Sequence, residues 1–234
     1  MSRILAFLNS AGGVGRTTSA LSMAVAFSEY GKKVLLVDCD PQGALTFILG
    51  KENSRRSAYD IFSGRQRALG MIHQTEERVD LIPASPKLSG DLKIKDEHML
   101  FEALAKFEYD IIIIDTASGL SRLNQLVLAT ADEFFIPTRL DLLSVRGALQ
   151  LAKESVRYRG KIRAIVPTMV EARSKHGIEM MALLKEKFGQ LVLAPGIPKS
   201  PLFGDAVVAG ASLLSYKKAS DISGMYREIT YDFL

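Results

Sequence analysis

An apolar run, RILAFL (residues 3–8), breaks into the stretch NSAGGVGRTT (9–18), and helix-compatible sequence follows at once. Gly12, Gly13 and Gly15 allow a tight backbone turn without side-chain clash. A strand before and a helix after put the amide groups of this turn at a helix start, aimed at an anion. The pattern comes close to G-x-x-x-x-G-K-[ST] but departs from it twice: Ser10 stands in place of the first glycine and Arg16 in place of the lysine. On its own, the stretch reads either as a phosphate loop or as a glycine-rich turn with no ligand.

Strand-like and helix-like segments alternate along the rest of the chain. KVLLVD (33–38), VDLIPA (79–84), YDIIIID (109–115), EFFIPT (133–138), KIRAIVPT (161–168) and QLVLAP (190–195) read as further strands. The four consecutive isoleucines at 111–114 suit a strand covered on both faces. Helices are expected at 16–30, near 57–63, and at 88–107, 122–131, 141–158 and 174–188. This βαβα order predicts a single α/β domain over residues 1–234, a mostly parallel twisted sheet flanked by helices on both faces. Residues 50–78 are the most polar region and read as an exposed insertion.

Two carboxylates in LLVDCDPQGALT (35–46), Asp38 and Asp40, fall at the end of the second strand, and Asp115 at the end of IIIID. Ligands of open parallel sheets bind at the carboxyl ends of the strands, where all these groups are expected. Thr17 is placed to put its hydroxyl on Mg²⁺ and Asp115 to hold it through water. Taken alone, Asp115 reads equally well as a helix N-cap.

Composition narrows the class. Hydrophobic residues make up 47% and charged residues 24%, ordinary for a globular chain. No apolar run is long enough to span a membrane, and MSRILAFLNSAGG makes a poor signal peptide. Cys39, the single cysteine, rules out an intrachain disulfide and argues against a thiol-ligated metal, so the chain reads as cytosolic. The net charge is +4 and the pI about 9.1. Lys153, Arg157, Arg159, Lys161 and Arg163 crowd one window against Glu154 alone; Arg173, Lys175, Lys185, Lys187, Lys199, Lys217 and Lys218 follow. Such a surface either meets nucleic-acid phosphates or serves solubility. Tyr158 and Tyr216 are too few for a base-stacking platform. Near the C-terminus, Met225, Ile229 and Phe233 recur as in a helix packed on a core. Arg227 there faces Asp221, Glu228 and Asp232, which makes a membrane anchor the weaker reading.

NSAGGVGRTT, VDCDPQG, IIIIDTASGL and the late IPKSPLFGDAVVAG together resemble the deviant-Walker ATPases of the ParA/MinD group, the ParA branch above all, from Arg3 to the YREI at 226–229. The resemblance implies a P-loop fold and an ATP-dependent switch using ATP and Mg²⁺. Two subunits would sandwich two nucleotides, and the homodimer would bind double-stranded DNA nonspecifically. An adaptor of ParB or McdB type would stimulate slow hydrolysis, placing the protein on the nucleoid. Gly12, Gly13, Val14, Gly15, Arg16, Thr17 and Thr18 would hold the phosphates. Asp40 would orient the attacking water, Asp38 would act around Mg²⁺ and the switch loop, and Asp115 would be the Walker B carboxylate. Pro167, Thr168 and Met169, with Pro198, match segments that enclose adenine.

The departures from the family pattern carry information. The signature lysine that reaches across the dimer is Ala11 here, the second lysine is Arg16, and Ala117 and Ser118 replace the prolines after Walker B. Arg16 keeps a positive charge beside the phosphates. Arg146 and Lys153, seven apart on helix 141–158, are candidates to replace the missing cross-dimer cation, or else form a solvated helix face. Relatives of the McdA type also lack that lysine, which opens a protein body such as the carboxysome as cargo beside plasmid or chromosomal DNA. Alternatives are a non-hydrolysing nucleotide-binding adaptor, a MinD-like membrane-associated ATPase, and an ATP-dependent ligase on the same fold. An iron–sulfur carrier would need paired interface cysteines, which the chain lacks.

Overall fold

The isoleucine run lies at the centre of a seven-stranded sheet. The computed structural model describes residues 2–63, 70–90, 92–171 and 173–234. In chain order the strands are β1 (Arg3–Phe7), β2 (Val34–Cys39), β3 (His73–Gln74), β4 (Asp80–Ile82), β5 (Ile111–Thr116), β6 (Glu133–Arg139) and β7 (Lys161–Thr168). Their spatial order is β3-β4-β2-β5-β1-β6-β7, parallel throughout except for the short edge strand β3. Flanked by β2 and β1, β5 buries Ile112 and Ile114 on one face and Ile111 and Ile113 on the other. Each such side chain contributes about 1.5–3 kcal/mol of hydrophobic burial.

Helices cover both faces, as the alternation predicts. They are α1 (Arg16–Glu29), α2 (Ala44–Ile48), α3 (Tyr59–Phe62), α4 (Met99–Leu104), α5 (Arg122–Thr130), α6 (Leu142–Ser155) and α7 (Lys175–Phe188). After them come α8 (Leu202–Val208), α9 (Leu213–Tyr216) and α10 (Asp221–Tyr231). Helices α3 to α7 line one face of the sheet; α1, α2, α9 and α10 line the other. The starts of α5, α6 and α7 are set by Ser121, Asp141 and Ser174, whose side chains accept the exposed N–H groups of Asn124, Ser144 and Gly177. Helix α10 buries its apolar side against α1, with Tyr226 Oη 3.0 Å from Ser19 Oγ and Arg227 Nε 2.6 Å from Glu29. Among the described residues, no helix is long and apolar enough to cross a membrane.

Three sequence expectations change. Residues 190–195 do not form a strand. A 3₁₀ turn, Gly189–Leu191, precedes a single bridge from Val192 to Ile165, and left-handed Gly189 and Gly196 turn the chain at both ends. The helix expected at 88–107 shrinks to α4, because Ser85 caps a short 3₁₀ turn at Pro86–Ser89 and Gly90 leaves it extended. Asp91, within that expected helix, lies outside the described residues. The segment 50–78 is no mere exposed insertion: Ala58, Ile61, Phe62 and Met71 enter the core, and buried Glu77 accepts hydrogen bonds from Ser212 and Ser215. Its residues 64–69 lie outside the described part.

Candidate functional site

The register brings the candidate residues to one end of the sheet. Asp38 pairs with Asp115 across β2 and β5, and Phe7, two residues before the glycine turn, pairs with Asp115 from the other side. Gly13 (φ 66) and Gly15 (φ 82) take left-handed backbone that only glycine adopts freely. Gly15 caps α1 with no side-chain acceptor, so the first amides of α1 are left to the loop.

Neighbouring strands and helices grip the loop from three sides. Asn9 Nδ2 donates to Pro137 O (2.8 Å), and Asn9 Oδ1 accepts from Ala11 N–H (2.9 Å). Thr168 Oγ1, at the end of β7, donates to Val14 O (2.8 Å). Gly119 N–H, after β5, donates to Ser10 O (3.1 Å). Helix α6 presses on the loop at Gly147, where a Cβ would come 2.5 Å from Asn9 Oδ1 and 2.9 Å from Ala11 N. Gly147→Ala is therefore expected to force α6 off the loop at a cost of about 1–3 kcal/mol. A thermal melt would show this as a loss of ~2–4 °C per kcal/mol, and an unchanged melt would refute the contact.

The carboxylates divide into two kinds. Asp38 is fully buried with both oxygens engaged: Oδ1 accepts from Asp40 N–H (3.1 Å), and Oδ2 from Thr46 N–H (2.9 Å) and Thr46 Oγ1 (2.7 Å). Thr46 Oγ1 in turn accepts from Ala84 N–H at 2.7 Å. Asp38 thus holds the turn that carries Asp40, and burial pushes its carboxyl up to about 6. Asp115, equally buried, accepts one bond from Thr116 N–H, while its Oδ2 makes none. Burial, then the Asp38 charge, push Asp115 up to about 8; the Thr17 hydroxyl and Arg16 pull the other way. Ser121 rather than Asp115 caps α5, which removes the N-cap reading of Asp115. Asp40, half-buried, accepts Gln42 N–H in a tight turn (2.9 Å). Cys39 points into the core, and burial pushes its thiol far up.

Arg16 curls back over the loop. Its Nη1 donates to Asn9 O (2.7 Å) and Ala11 O (2.9 Å), and burial lowers its pKa against the opposing pull of Asp115 and Asp40. Pro167, Thr168, Met169 and Pro198 form one wall: Ile197 N–H donates to Pro167 O (2.7 Å), Val170 bridges Pro198, and Met169 takes a left-handed φ of 51°. Arg146, with no charged partner among the described residues, lines a groove of about 580 Å³ with Ser10, Ala11 and Gly12. Lys153, two turns further along α6, does not line that groove.

The basic window falls elsewhere. Lys161 opens β7, whose other end carries Thr168 beside the loop, so Lys161 and Arg163 lie towards the opposite end of the sheet. Arg157, Arg163, Lys187 and Lys199 face acids at 3.0, 3.7, 2.7 and 2.8 Å, and Lys218 acts on Glu29 at longer range; Lys153, Arg159, Lys161, Lys175 and Lys185 form no ion pair among the described residues. Sequence reasoning missed Asn9, Thr46 and Gly147. Only Gly147 left a signal, a glycine inside a helical pattern.

Magnesium fits what is present. No cluster of three metal-ligating His, Cys, Asp or Glu side chains exists among the described residues, so a divalent ion here would draw on Thr17, Asp115 and a ligand's own oxygens. Mg²⁺ commonly binds in that way, through one or two carboxylates plus phosphates. The unpaired Oδ2 of Asp115 is the acceptor such an ion would relieve.

Known proteins resemble the chain over nearly its whole length. A family model described as an AAA domain matches residues 2–164. The sporulation initiation inhibitor protein Soj of Bacillus subtilis (strain 168) is 32% identical over 246 residues, 98% of this chain and 97% of its own. The chromosome partitioning protein ParA of Caulobacter vibrioides is 30% identical over 232 residues, 92% of this chain and 87% of its own. Cobyrinic acid a,c-diamide synthase from Mycobacterium smegmatis, solved with ADP and magnesium, superposes with a TM-score of 0.84 at 29% identity, over 100% of this chain and 94% of its own.

Proposed function

We propose that this chain, which belongs to the ParA/Soj family of partitioning ATPases, is an ATP-dependent positioning switch. The observation that carries the reading is the buried Asp115 oxygen left without a partner beside Thr17, under the glycine loop. Bound Mg²⁺ would neutralise charge on the triphosphate.

The chain's own residues do the rest. Amides from Gly12 to Thr18 cradle the phosphates, and Arg16 exchanges the carbonyls of Asn9 and Ala11 for phosphate oxygens. Asp38 fixes the turn on which Asp40 orients the attacking water. Pro167, Thr168, Met169 and Pro198 wall the base. In an ATP-bound homodimer, Arg146 takes the part of the lysine missing at Ala11; its place beside Gly12 supports it over Lys153. Exposed Leu142 and Leu143 at the same groove add apolar area for a second copy.

The dimer would sit in the cytoplasm on the nucleoid, binding double-stranded DNA nonspecifically through the unpaired lysines and arginines. An adaptor of ParB or McdB type would stimulate hydrolysis at a cargo, either a protein body or DNA. Calorimetry with ATP and Mg²⁺ tests the premise of binding: heat is expected, and its absence ends the reading. Duplex binding with ATP present should fall steeply with salt. Arg146→Ala should abolish ATP-dependent dimers while Lys153→Ala leaves them intact; the opposite result would sink the assignment. The likeness to cobyrinic acid a,c-diamide synthase favours a second reading, ATP-dependent ligase chemistry. ATP turnover that rises with DNA and needs no small co-substrate would exclude that reading.

A further inference from the structure

We propose that the Ser118 hydroxyl is an additional ligand-binding group, donating to a γ-phosphate oxygen of ATP across from Gly12. This rests on the nucleotide reading above.

The backbone around Ser118 is braced from behind. Asn124 Nδ2, from α5, donates to Ala117 O and to Gly119 O, both at 2.8 Å. Asn124 is itself buried, and Gly119 N–H ties the segment to the glycine loop through Ser10 O at 3.1 Å. A φ of 84° at Gly119 lets the chain make this double contact, which a side chain there would strain.

Ser118, between the two braced carbonyls, is the exposed member of the segment, and its side chain makes no hydrogen bond to any described residue. Its Oγ lies 4.0 Å from where a Cβ on Gly12 would stand. The hydroxyl thus stands beside the glycine loop at Gly12, a position with no side chain, and faces the solvent from which a ligand arrives. A polar group kept in place by others, yet itself uncommitted, is preorganised for an acceptor that arrives with the ligand. The acceptor available at a loop of this kind is a terminal phosphate oxygen. Where the ParA resemblance predicts proline, which carries no donor, this chain carries serine. The substitution adds a donor to a site that has given up the cation at Ala11.

The test compares the wild-type chain with Ser118→Ala and Ser118→Thr by calorimetry. Each is titrated with Mg²⁺ and a non-hydrolysable ATP analogue, and separately with Mg²⁺ and ADP, after melting curves establish that all are folded. Loss of one charge-assisted hydrogen bond should weaken the triphosphate about tenfold in Ser118→Ala, leave ADP within about twofold, and be restored in Ser118→Thr. Equal weakening of both nucleotides, or no weakening of either, would overturn the proposal. Wild-type protein that binds neither nucleotide would remove the nucleotide reading itself, and this inference with it.

Discussion

Asp115→Asn is expected to make the metal-free protein more stable and, in the same step, to abolish Mg²⁺-dependent nucleotide binding. Asp115 is fully buried, keeps one oxygen without a hydrogen bond, and faces Asp38 across the sheet. An amide of nearly the same shape carries no charge, so the substitution removes the desolvation penalty and the repulsion from Asp38 together. The amide still needs a partner at that position, so the gain is that of the removed buried charge, about 1–3 kcal/mol or more, or ~2–4 °C of melting temperature per kcal/mol in a chain of this size. The sign of the pH dependence follows from linkage. Asp115 titrates near 8 in the folded chain against 3.8 ordinarily, so the folded state holds the proton more tightly. Its contribution to stability is complete below about 3.8 and is lost as pH rises towards 8. Asp38, raised to about 6, adds a loss of the same sign over a narrower window. In chelator, the wild-type melting temperature should therefore fall between pH 4 and pH 8, and Asp115→Asn should flatten that slope. A variant that melts below the wild type at pH 7 would show that the carboxylate stabilises the resting fold, contrary to this account.

The fold was legible because its signals are local and redundant. Unbroken β-branched runs such as 111–114 suit a strand covered on both faces, and each alternates with a helical pattern of ordinary length. Legibility failed where length and turns decide. Val192 and Leu193 look like strand residues, but left-handed glycines at 189 and 196 leave them one bridge to Ile165. Residues 50–78 look soluble by composition, yet Ala58, Ile61, Phe62 and Met71 among them turn inwards. At the site, residue types with a known chemical use were visible: the glycines, Thr17, Asp38, Asp40 and Asp115. The supporting hydrogen bonds were not. Nothing in a sequence says that Asn9 will clamp the loop to Pro137, or that both oxygens of Asp38 will be consumed by Asp40 and Thr46. The first depends on segments 128 residues apart, the second on the path the 38–46 turn takes, which residue types alone do not fix. The same limit applies to Arg146 and Lys153, equivalent by helical spacing and separated only once α6 is docked on the loop.

Arg16→Ala is the second large expected effect, because this side chain serves the loop in two ways. Its guanidinium ties the carbonyls of Asn9 and Ala11 together, and its charge lies in the field of Asp115 and Asp40. Truncation removes two hydrogen bonds from a charged donor to the loop carbonyls as well as the cation near Asp115, a loss of about 3 kcal/mol. The melting temperature should drop by about 6 °C or more, and nucleotide affinity by about a hundredfold, since a charge-assisted contact and the loop geometry vanish together. Arg16→Lys separates the two roles. An ammonium keeps the charge but lacks the planar fork that spans two carbonyls, so nucleotide binding should survive within about tenfold while the loop melts earlier. The double variant Arg16→Ala with Asp115→Asn gives the sharper test. If charge balance is what Arg16 supplies to the resting fold, removing Asp115 as well should recover most of the lost stability and none of the nucleotide binding, a coupling that a double-mutant cycle reads directly. Additive losses in the double variant would mean that Arg16 and Asp115 do not sense each other. Wild-type affinity in Arg16→Ala would mean that the arginine is a strut of the loop and no part of the phosphate site.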